Sequence, residues 1–513
     1  MFRNIVDPLF LTDAYKLDHR RQYPPGTTRV YSNLTHRASR IPGVGQVVHF
    51  GLQAFIQDVL TDAFGRFFAA DVEQVCAEYE RRVTAVVGPN VIGSAHIRAL
   101  HALGYLPLSI RSLPEGTAVP IKVPVLTVEN THPDFFWLTN YIETALSAAV
   151  WQPSTSATTA WRLRRLLEER ARATGAPSAA VDFQGHDFSF RGMPGLEAAA
   201  ASGAAHLLSF TGSDSLVSED WIRYFYPDDS GEPILASVAA TEHSVMCAGT
   251  RESEDDTYRR LLELYPNGIV SVVSDTFDLW RVLTETLPAL RERIMGRDGT
   301  LVIRPDSGDP ETILCGTGID DSPAGRGVVR LLWETFGGTV NEAGYRVLDP
   351  HVGVIYGDSI THDRADAITA RLASLGFVST TVVFGVGSYT YQYVTRDTFS
   401  SAVKATYVEI DGRGRDIFKD PVTDSGTKRS ARGRLAVLRD DAGELYVQQQ
   451  ATPEQEAASE LAEVWRDGEF LRREGFAAIR ARLRAQPRSA ATELARNYTG
   501  LPVAELGRIP AER

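Results

Sequence analysis

Charged and polar residues recur just past apolar, strand-like runs in the middle of this chain. His-Leu-Leu-Ser-Phe (206–210) leads to Thr211-Gly212-Ser213-Asp214, and Ile-Leu-Ala-Ser-Val-Ala (234–239) leads to Glu242 and His243. Ile-Val-Ser-Val-Val (269–273) leads to Asp275, and Leu-Val-Ile (301–303) runs into Arg304-Pro305-Asp306-Ser307-Gly308. Val-Gly-Val-Ile-Tyr (352–356) meets Gly357-Asp358, and Thr-Thr-Val-Val-Phe (380–384) ends at Gly385-Val386-Gly387-Ser388. Ligands of parallel α/β proteins bind where the carboxyl ends of the strands meet. Repeated placement of this kind predicts one convergent site.

The cations suit an anionic ligand. Arg191, Arg304, Arg396, Lys404 and Lys419 fall in or near loops, together with the glycine-containing turn 385–388. Backbone N–H groups of such a turn can cradle a phosphate, and arginine forks can hold its oxygens in pairs. Taken alone, the turn reads more readily as a plain structural one than as a phosphate site. Asp275, Asp306 and Asp358 each follow a strand beside Ser or Gly. Such carboxylates can hold Mg²⁺ alongside substrate phosphates or accept hydrogen bonds from ribose hydroxyls, and each also suits a helix N-cap. His243 either fills a structural place or hydrogen-bonds a phosphoryl group and becomes phosphorylated, with Glu242 as candidate orienting group. No His-x-x-x-His or Cys-x-x-Cys spacing points to zinc. Tyr15, Phe188 and Phe190 lie beside charged residues, where an aromatic ring either stacks on a flat heterocycle or packs into the core.

The elements that must position these groups are predicted as strand, polar loop and helix in alternation from about 180 to 390. Helices over Phe277–Leu287, Gly327–Phe336 and Asp363–Leu375 separate the strands, as parallel pairing requires. With a strand before His186, about seven strands point to an α/β fold, an irregular parallel barrel, over 151–390. Residues 1–150 read as mixed: a strand near Arg29–Leu34, short strands from Pro107 to Asn130, and helices at Asn140–Trp151 and Ala157–Ala173. Residues 391–450 are again strand-like, and the tail from about 452 is expected to be helical. The N- and C-terminal segments, 1–150 and 391–513, are expected to build a second, mixed α+β domain.

At 513 residues the chain is too long for one core, and its net charge of −12 argues against nucleic-acid binding. Cys76, Cys247 and Cys315 are too scattered for a disulfide framework. No apolar run reaches membrane-span length, and the start lacks a signal-peptide pattern, so a soluble cytoplasmic protein is expected.

Taken in order, several short segments resemble the nicotinamide phosphoribosyltransferases, type II phosphoribosyltransferases of NAD salvage. They are Thr-Asp-Ala-Tyr-Lys (12–16), Gln-Tyr-Pro-Pro (22–25), Phe-Gly-Leu-Gln (50–53), Val-Glu-Asn-Thr (128–131) and Trp-Leu-Thr-Asn (137–140). His-Asp-Phe-Ser-Phe-Arg-Gly (186–192), Thr-Gly-Ser-Asp-Ser (211–215), Glu-His-Ser (242–244) and Val-Val-Ser-Asp (272–275) follow. Arg-Pro-Asp-Ser-Gly (304–308), Gly-Asp (357–358), Thr-Arg-Asp (395–397) and Phe-Lys-Asp-Pro (418–421) complete the set.

The resemblance implies condensation of nicotinamide with phosphoribosyl pyrophosphate, assisted by Mg²⁺, in a homodimer with shared active sites. It implies that Phe188 and the Tyr15 of a second copy sandwich the pyridine ring, that Asp214 takes the carboxamide N–H, and that Arg191 lies near it and the phosphates. Arg304 and His243 would face pyrophosphate, Asp306 and Asp358 (with Gly357 beside it) the ribose hydroxyls, and Asp275 the surroundings of the metal. Gly387 and Ser388 would meet the 5′-phosphate with Arg396 and Lys404 of the other copy, while Arg37 and Lys419 add positive charge. The family's counterpart of His243 is phosphorylated by ATP, which makes ATP a stimulating co-substrate. An ionised Asp214 would accept from the amide of nicotinamide and repel nicotinate, so Asp214→Ser is expected to relax that preference. Three positions depart from the family pattern: Ser388 in the Gly-Ser-Gly-Gly turn, Ala402 for a serine, and Ser189 for a glycine. The alternatives are a nicotinate phosphoribosyltransferase, a non-catalytic nucleotide-binding homologue, or a barrel glycosidase with paired carboxylates.

Overall fold

Val270–Val273 is buried at every position, as a strand covered on both faces must be, and it runs parallel to Leu301–Arg304 on one side and Ala239–Ala240 on the other. The computed structural model describes residues 7–89, 92–227, 230–419 and 430–486. Contacts divide the chain into two units: Ser156–Val394 with Gly475–Arg480, and the remainder, Met1–Thr155, Thr395–Glu474 and Ala481–Arg513. Asp420 and Pro421 of the Phe-Lys-Asp-Pro segment, and residues 487–513 of the tail, lie outside the described residues.

The unit built on 156–394 carries a seven-stranded parallel sheet. Its order is Gly212–Ser213, Gly185–Asp187, Val382–Val386, Val352–Tyr356, Leu301–Arg304, Val270–Val273, Ala239–Ala240. The sheet curls far enough for Ala236, just before the last strand, to bridge Gly212 in the first. Helices cross between successive strands, among them Val328–Phe336 and His362–Ser374, and bury Leu331, Leu332, Ile368 and Leu372 against the sheet. Thr361 caps the second of these by accepting from the Arg364 N–H, and Asp309 caps Pro310–Cys315.

Two expected strands differ. Residues 206–210 close the helix Leu196–His206 and turn, with the Phe210 N–H bonded to the His206 carbonyl. Their apolar run reports complete burial, which a helix end and a strand share. Of 234–239, only Ala236 and Ala239 enter the sheet.

The other unit is organised on a seven-stranded sheet in the order Arg413–Asp416, Ser401–Ile410, Thr27–His36, Pro124–Asn130, Leu108–Ser112, Ala462–Arg466, Glu469–Phe470. These pairings are antiparallel. The tail is therefore not simply helical: Ala462–Arg466 pairs with Leu108–Ser112 and fully buries Trp465, and helix returns at Phe476–Arg484. The two helices expected around residue 154 are one, Glu143–Ala173, which continues through Pro153. Gly51 accommodates that proline, since a Cβ there would lie 2.7 Å from Pro153 Cγ.

Candidate active site

Phe188 stands at the carboxyl end of Gly185–Asp187, its N–H held 3.0 Å from the Val386 carbonyl of the neighbouring strand. The His186 ring packs beside it with centroids 4.6 Å apart, and the Arg304 guanidinium sits 5.8 Å from the Phe188 ring centre. Asp214 follows Gly212–Ser213 and donates its backbone N–H to the Asp187 carbonyl at 3.0 Å. Its Oδ1 accepts from His186 Nε2 at 3.0 Å and from the Ser237 hydroxyl. Burial alone would raise the Asp214 carboxyl, but those two donors and the Arg304 charge outweigh it and hold the group below the usual carboxylate range.

The four strands beyond Val382–Val386 bring a second group together. Asp275 Oδ2 accepts the backbone N–H groups of Asp306 and Ser307, each at 2.7 Å, and so fixes the loop after Arg304. Asp306 Oδ2 lies 3.7 Å from His243 Nε2, while His243 Nδ1 meets Thr276 Oγ1 at 3.0 Å. Glu242 is not the orienting group: it precedes the helix His243–Ala248 without a side-chain capping bond, and its carboxylate accepts from the Ser244 hydroxyl. Thr276 and Asp306 take that place. Burial pushes the Asp306 carboxyl up, with Asp275 and Asp358 adding to the rise and Arg304 and His243 opposing it.

Glycines make the close approaches possible. A Cβ on Gly357 would fall 2.1 Å from Asp306 Oδ1, and one on Gly387 2.9 Å from Asp358 Oδ1. Gly387 is extended, with φ −83° and ψ 176°, and Ser388 opens the helix Ser388–Gln392. Ser388 is not among the positive-φ residues, so this turn accepts a serine without strain. The Ser388 hydroxyl occupies the space that a Cβ on Gly192 would fill. Arg191, one residue earlier, is exposed.

Tyr15, Arg37, Arg396, Lys404 and Lys419 belong to the other unit. Tyr15 is 64% exposed. Burial lowers the Lys404 ammonium; Glu143 resists that, and Arg37, Arg396 and Lys16 reinforce it, so these cations form one electrostatic cluster. Arg37 Nε donates to the Ser400 carbonyl at 3.2 Å, and Arg396 pairs with its neighbour Asp397 at 3.1 Å. Lys419 is exposed, and its backbone N–H is bonded to the Ser430 hydroxyl at 2.9 Å.

Two family models match. The nicotinate phosphoribosyltransferase (NAPRTase) family covers residues 183–469, and the nicotinamide phosphoribosyltransferase N-terminal domain covers residues 7–73. A nicotinamide phosphoribosyltransferase of Acinetobacter baylyi is 50% identical over 496 residues, 94% of this chain and 98% of that protein. The chain belongs to the nicotinamide phosphoribosyltransferase family. Further members of the family from Mycoplasma pneumoniae and Xanthomonas campestris are 37% and 36% identical, covering 83% and 93% of this chain and 95% and 98% of theirs. Two solved structures share the fold: nicotinate-nucleotide pyrophosphorylase from Pyrococcus furiosus and human nicotinic acid phosphoribosyltransferase. Their TM-scores are 0.54 and 0.53 at 15% and 16% identity; they cover 92% and 93% of this chain, and 93% of each is matched.

The family's implied metal has a restrained fit here. No group of three or more His, Cys, Asp or Glu side chains among the described residues is arranged to hold a metal ion. Asp275 Oδ1 and Asp306 Oδ1, however, are buried without a hydrogen-bond partner. Two orphaned carboxylate oxygens suit Mg²⁺, which commonly takes one or two carboxylates and draws its other ligands from substrate phosphates and water.

Sequence reasoning missed His186 as a partner of Asp214, Ser237 as its second donor, and Thr276 on His243. His186 heads the family-like segment 186–192, and that is its only signal in the sequence. Phe190 resolves to its other reading and packs against the core. Ser189 is buried, with its N–H donating to Asp187 Oδ1 at 2.9 Å, and Ala402 is buried within Ser401–Ile410.

Proposed function

We propose that this chain condenses nicotinamide with phosphoribosyl pyrophosphate to nicotinamide mononucleotide and pyrophosphate, as a cytoplasmic enzyme of NAD salvage. One observation carries the choice of substrate: Asp214, near Phe188, is kept ionised by two hydrogen-bond donors. A carboxylate there accepts from an amide N–H and repels a second carboxylate.

The chemistry needs little from a base. The pyridine nitrogen supplies the electron pair for the new bond to ribose C1, and the C1–O bond breaks with its pair leaving on pyrophosphate. Phe188 and, from a second copy, Tyr15 hold the ring in line, and Arg191 flanks it. Positioning of this kind lowers the barrier without proton transfer. Asp306 and Asp358 accept from the ribose hydroxyls and favour the positive charge that grows on the ring carbon. Arg304 and His243 face the leaving group, where negative charge increases. Gly387 and Ser388 offer backbone N–H groups to the 5′-phosphate, joined by Arg396 and Lys404 of the partner copy, with Arg37 and Lys419 adding to the field. Mg²⁺, near Asp275 and Asp306, would neutralise charge on the leaving phosphates. ATP would phosphorylate His243, whose imidazole is exposed and oriented by Thr276.

Nicotinate is the second reading, and the Arg304 cation near Phe188 is the feature that favours it. The decisive assay offers nicotinamide or nicotinate with phosphoribosyl pyrophosphate and Mg²⁺, with and without ATP, and quantifies mononucleotide. Product from nicotinamide, increased by ATP, is expected. Product from nicotinate alone would overturn the specificity, and none from either would mark a binding protein.

A further inference from the structure

His186 is a buried histidine, 9% exposed, near the carboxyl end of the strand Gly185–Asp187. It and Phe188 are two residues apart, so both side chains project from the same side of the strand end. Nε2 donates to Asp214 Oδ1, the ring leans on Phe188, and a Cβ on Gly212 would fall 2.8 Å from Nδ1. The imidazole is thus wedged between the pyridine-stacking ring and the backbone that carries Asp214. Ser237 approaches the same Oδ1 from the segment that closes the barrel. Asp214 Oδ2 accepts nothing among the described residues.

From this arrangement we propose that His186 is a positioning residue for substrate choice: with Ser237 it occupies Asp214 Oδ1 and so turns Oδ2 to the ligand's amide. The inference rests on the nicotinamide reading above. Selectivity for amide over acid is then a property of three residues, because a carboxylate free to rotate or to take up a proton loses both its directed acceptor and its repulsion of nicotinate. His186 also spaces Asp214 from Phe188, so the ring that stacks and the oxygen that accepts are fixed by one imidazole.

The charged and titratable groups facing Asp214 are His186 from its own sheet neighbour and Arg304 from the strand Leu301–Arg304. Asp187 and His206 are adjacent and make no bond to Asp214 through their side chains: Asp187 Oδ1 accepts the Ser189 N–H while its Oδ2 is buried without a partner, and His206 meets the Gly212 carbonyl and Tyr391 hydroxyl. Among the described residues, removing His186 leaves Arg304 and Ser237 to favour the charged form, and the acid limb of activity moves to higher pH.

The test uses the full chain and steady-state kinetics for both pyridine substrates and for phosphoribosyl pyrophosphate. His186→Ala is expected to raise KM for nicotinamide by about tenfold, with kcat and KM for phosphoribosyl pyrophosphate within about threefold of the parent. The preference for nicotinamide over nicotinate falls, and the acid limb of kcat/KM for nicotinamide shifts upward. His186→Gln, whose amide nitrogen reaches the Nε2 position, restores most of the loss. A merely packing role predicts no such rescue. Ser237 is exposed, so Ser237→Ala keeps the fold and is expected to give the same change to a smaller degree. If His186→Gln is no better than His186→Ala, or if Ser237→Ala leaves KM for nicotinamide and the substrate preference unchanged, the proposal is wrong while the parent's activity on nicotinamide still stands. A parent chain inactive on nicotinamide overturns both readings together.

Discussion

Gly357 shows how one missing side chain fixes the ribose-facing end of the site. Its φ lies outside the left-handed region, so its requirement is steric: the space of its Cβ is taken by the Asp306 carboxylate. Gly357→Ala must displace Asp306, and a shift of about 1 Å in a catalytic group costs on the order of a hundredfold in rate. We expect kcat/KM to fall by about that factor with the melting temperature nearly unchanged; an active variant would detach Asp306 from the reaction. His243 offers a different test, because its imidazole is exposed and held by Thr276 rather than by packing. With His243→Ala the ratio of turnover with ATP to turnover without it should drop to about one, since no nucleophile remains to take the phosphoryl group. An undiminished ATP effect would place the phosphorylated group elsewhere. At this scale the sequence was informative where a residue acts through its own type. Asp214, Asp275 and Asp306 were all visible as carboxylates after apolar runs. Their partners were not, because His186 and Ser237 reach Asp214 only through pairing between distant strands, which no local spacing encodes.

The loops that carry these residues are held by elements whose links are also non-local. His206 ends the helix Leu196–His206 and is fully buried, stacked on Phe210. Its Nε2 lies 3.1 Å from the Gly212 carbonyl, which can only accept, so Nε2 carries the proton and Nδ1 takes the Tyr391 hydroxyl proton at 2.5 Å. Burial lowers the basicity of the ring, in the direction this bonding favours. The strand leading to Asp214 and the helix Ser388–Gln392 are therefore tied through one imidazole. Tyr391→Phe would leave Nδ1 buried and unsatisfied, at a cost of about 1–3 kcal/mol. The expected result is a lower melting temperature and a higher KM for phosphoribosyl pyrophosphate, because the Gly387-Ser388 turn loses its anchor. Unchanged values for both would show that the turn is held without it. The strands Val270–Val273, Leu301–Arg304 and Val352–Tyr356 were legible because β-branched apolar runs bounded by Gly or Pro have few other uses. The 206–210 run misled because a fully buried helix end loses its polar face. The strand Ala462–Arg466 was hidden in an Ala- and Glu-rich tail whose composition favours helix, and pairing with Leu108–Ser112 overrides that preference.

For the molecule as a whole, net charge was readable from composition, but the states of its histidines were not. A histidine after a strand looks the same in sequence whether it ends in an open site, as His243 does, or in a core. His36, His49 and His96 are all buried in the unit built on the antiparallel sheet, and burial pushes them down to about 4, about 3 and about 4. Unfolded histidine titrates near 6.5. The folded form is thus the one that binds fewer protons, so the stability these groups contribute is complete above pH 6.5 and is lost as pH falls toward their folded values. Between pH 6.5 and 5.5 the three together should remove roughly 3 kcal/mol, enough to lower the melting temperature of this unit by on the order of 10 °C. Two effects oppose this. Acidification relieves the self-repulsion of a chain with net charge −12, and burial raises the Asp7 carboxyl of the same unit, which favours the folded state as it takes up a proton. A variant separates the terms. His49→Gln keeps a donor for the Ser112 hydroxyl, which lies 2.9 Å from His49 Nε2, and removes only the titration. Melting temperatures at pH 7.5, 6.5 and 5.5 should fall less steeply for that variant than for the parent, by about a third of the histidine effect. Equal slopes would assign the acid sensitivity to the carboxylates instead.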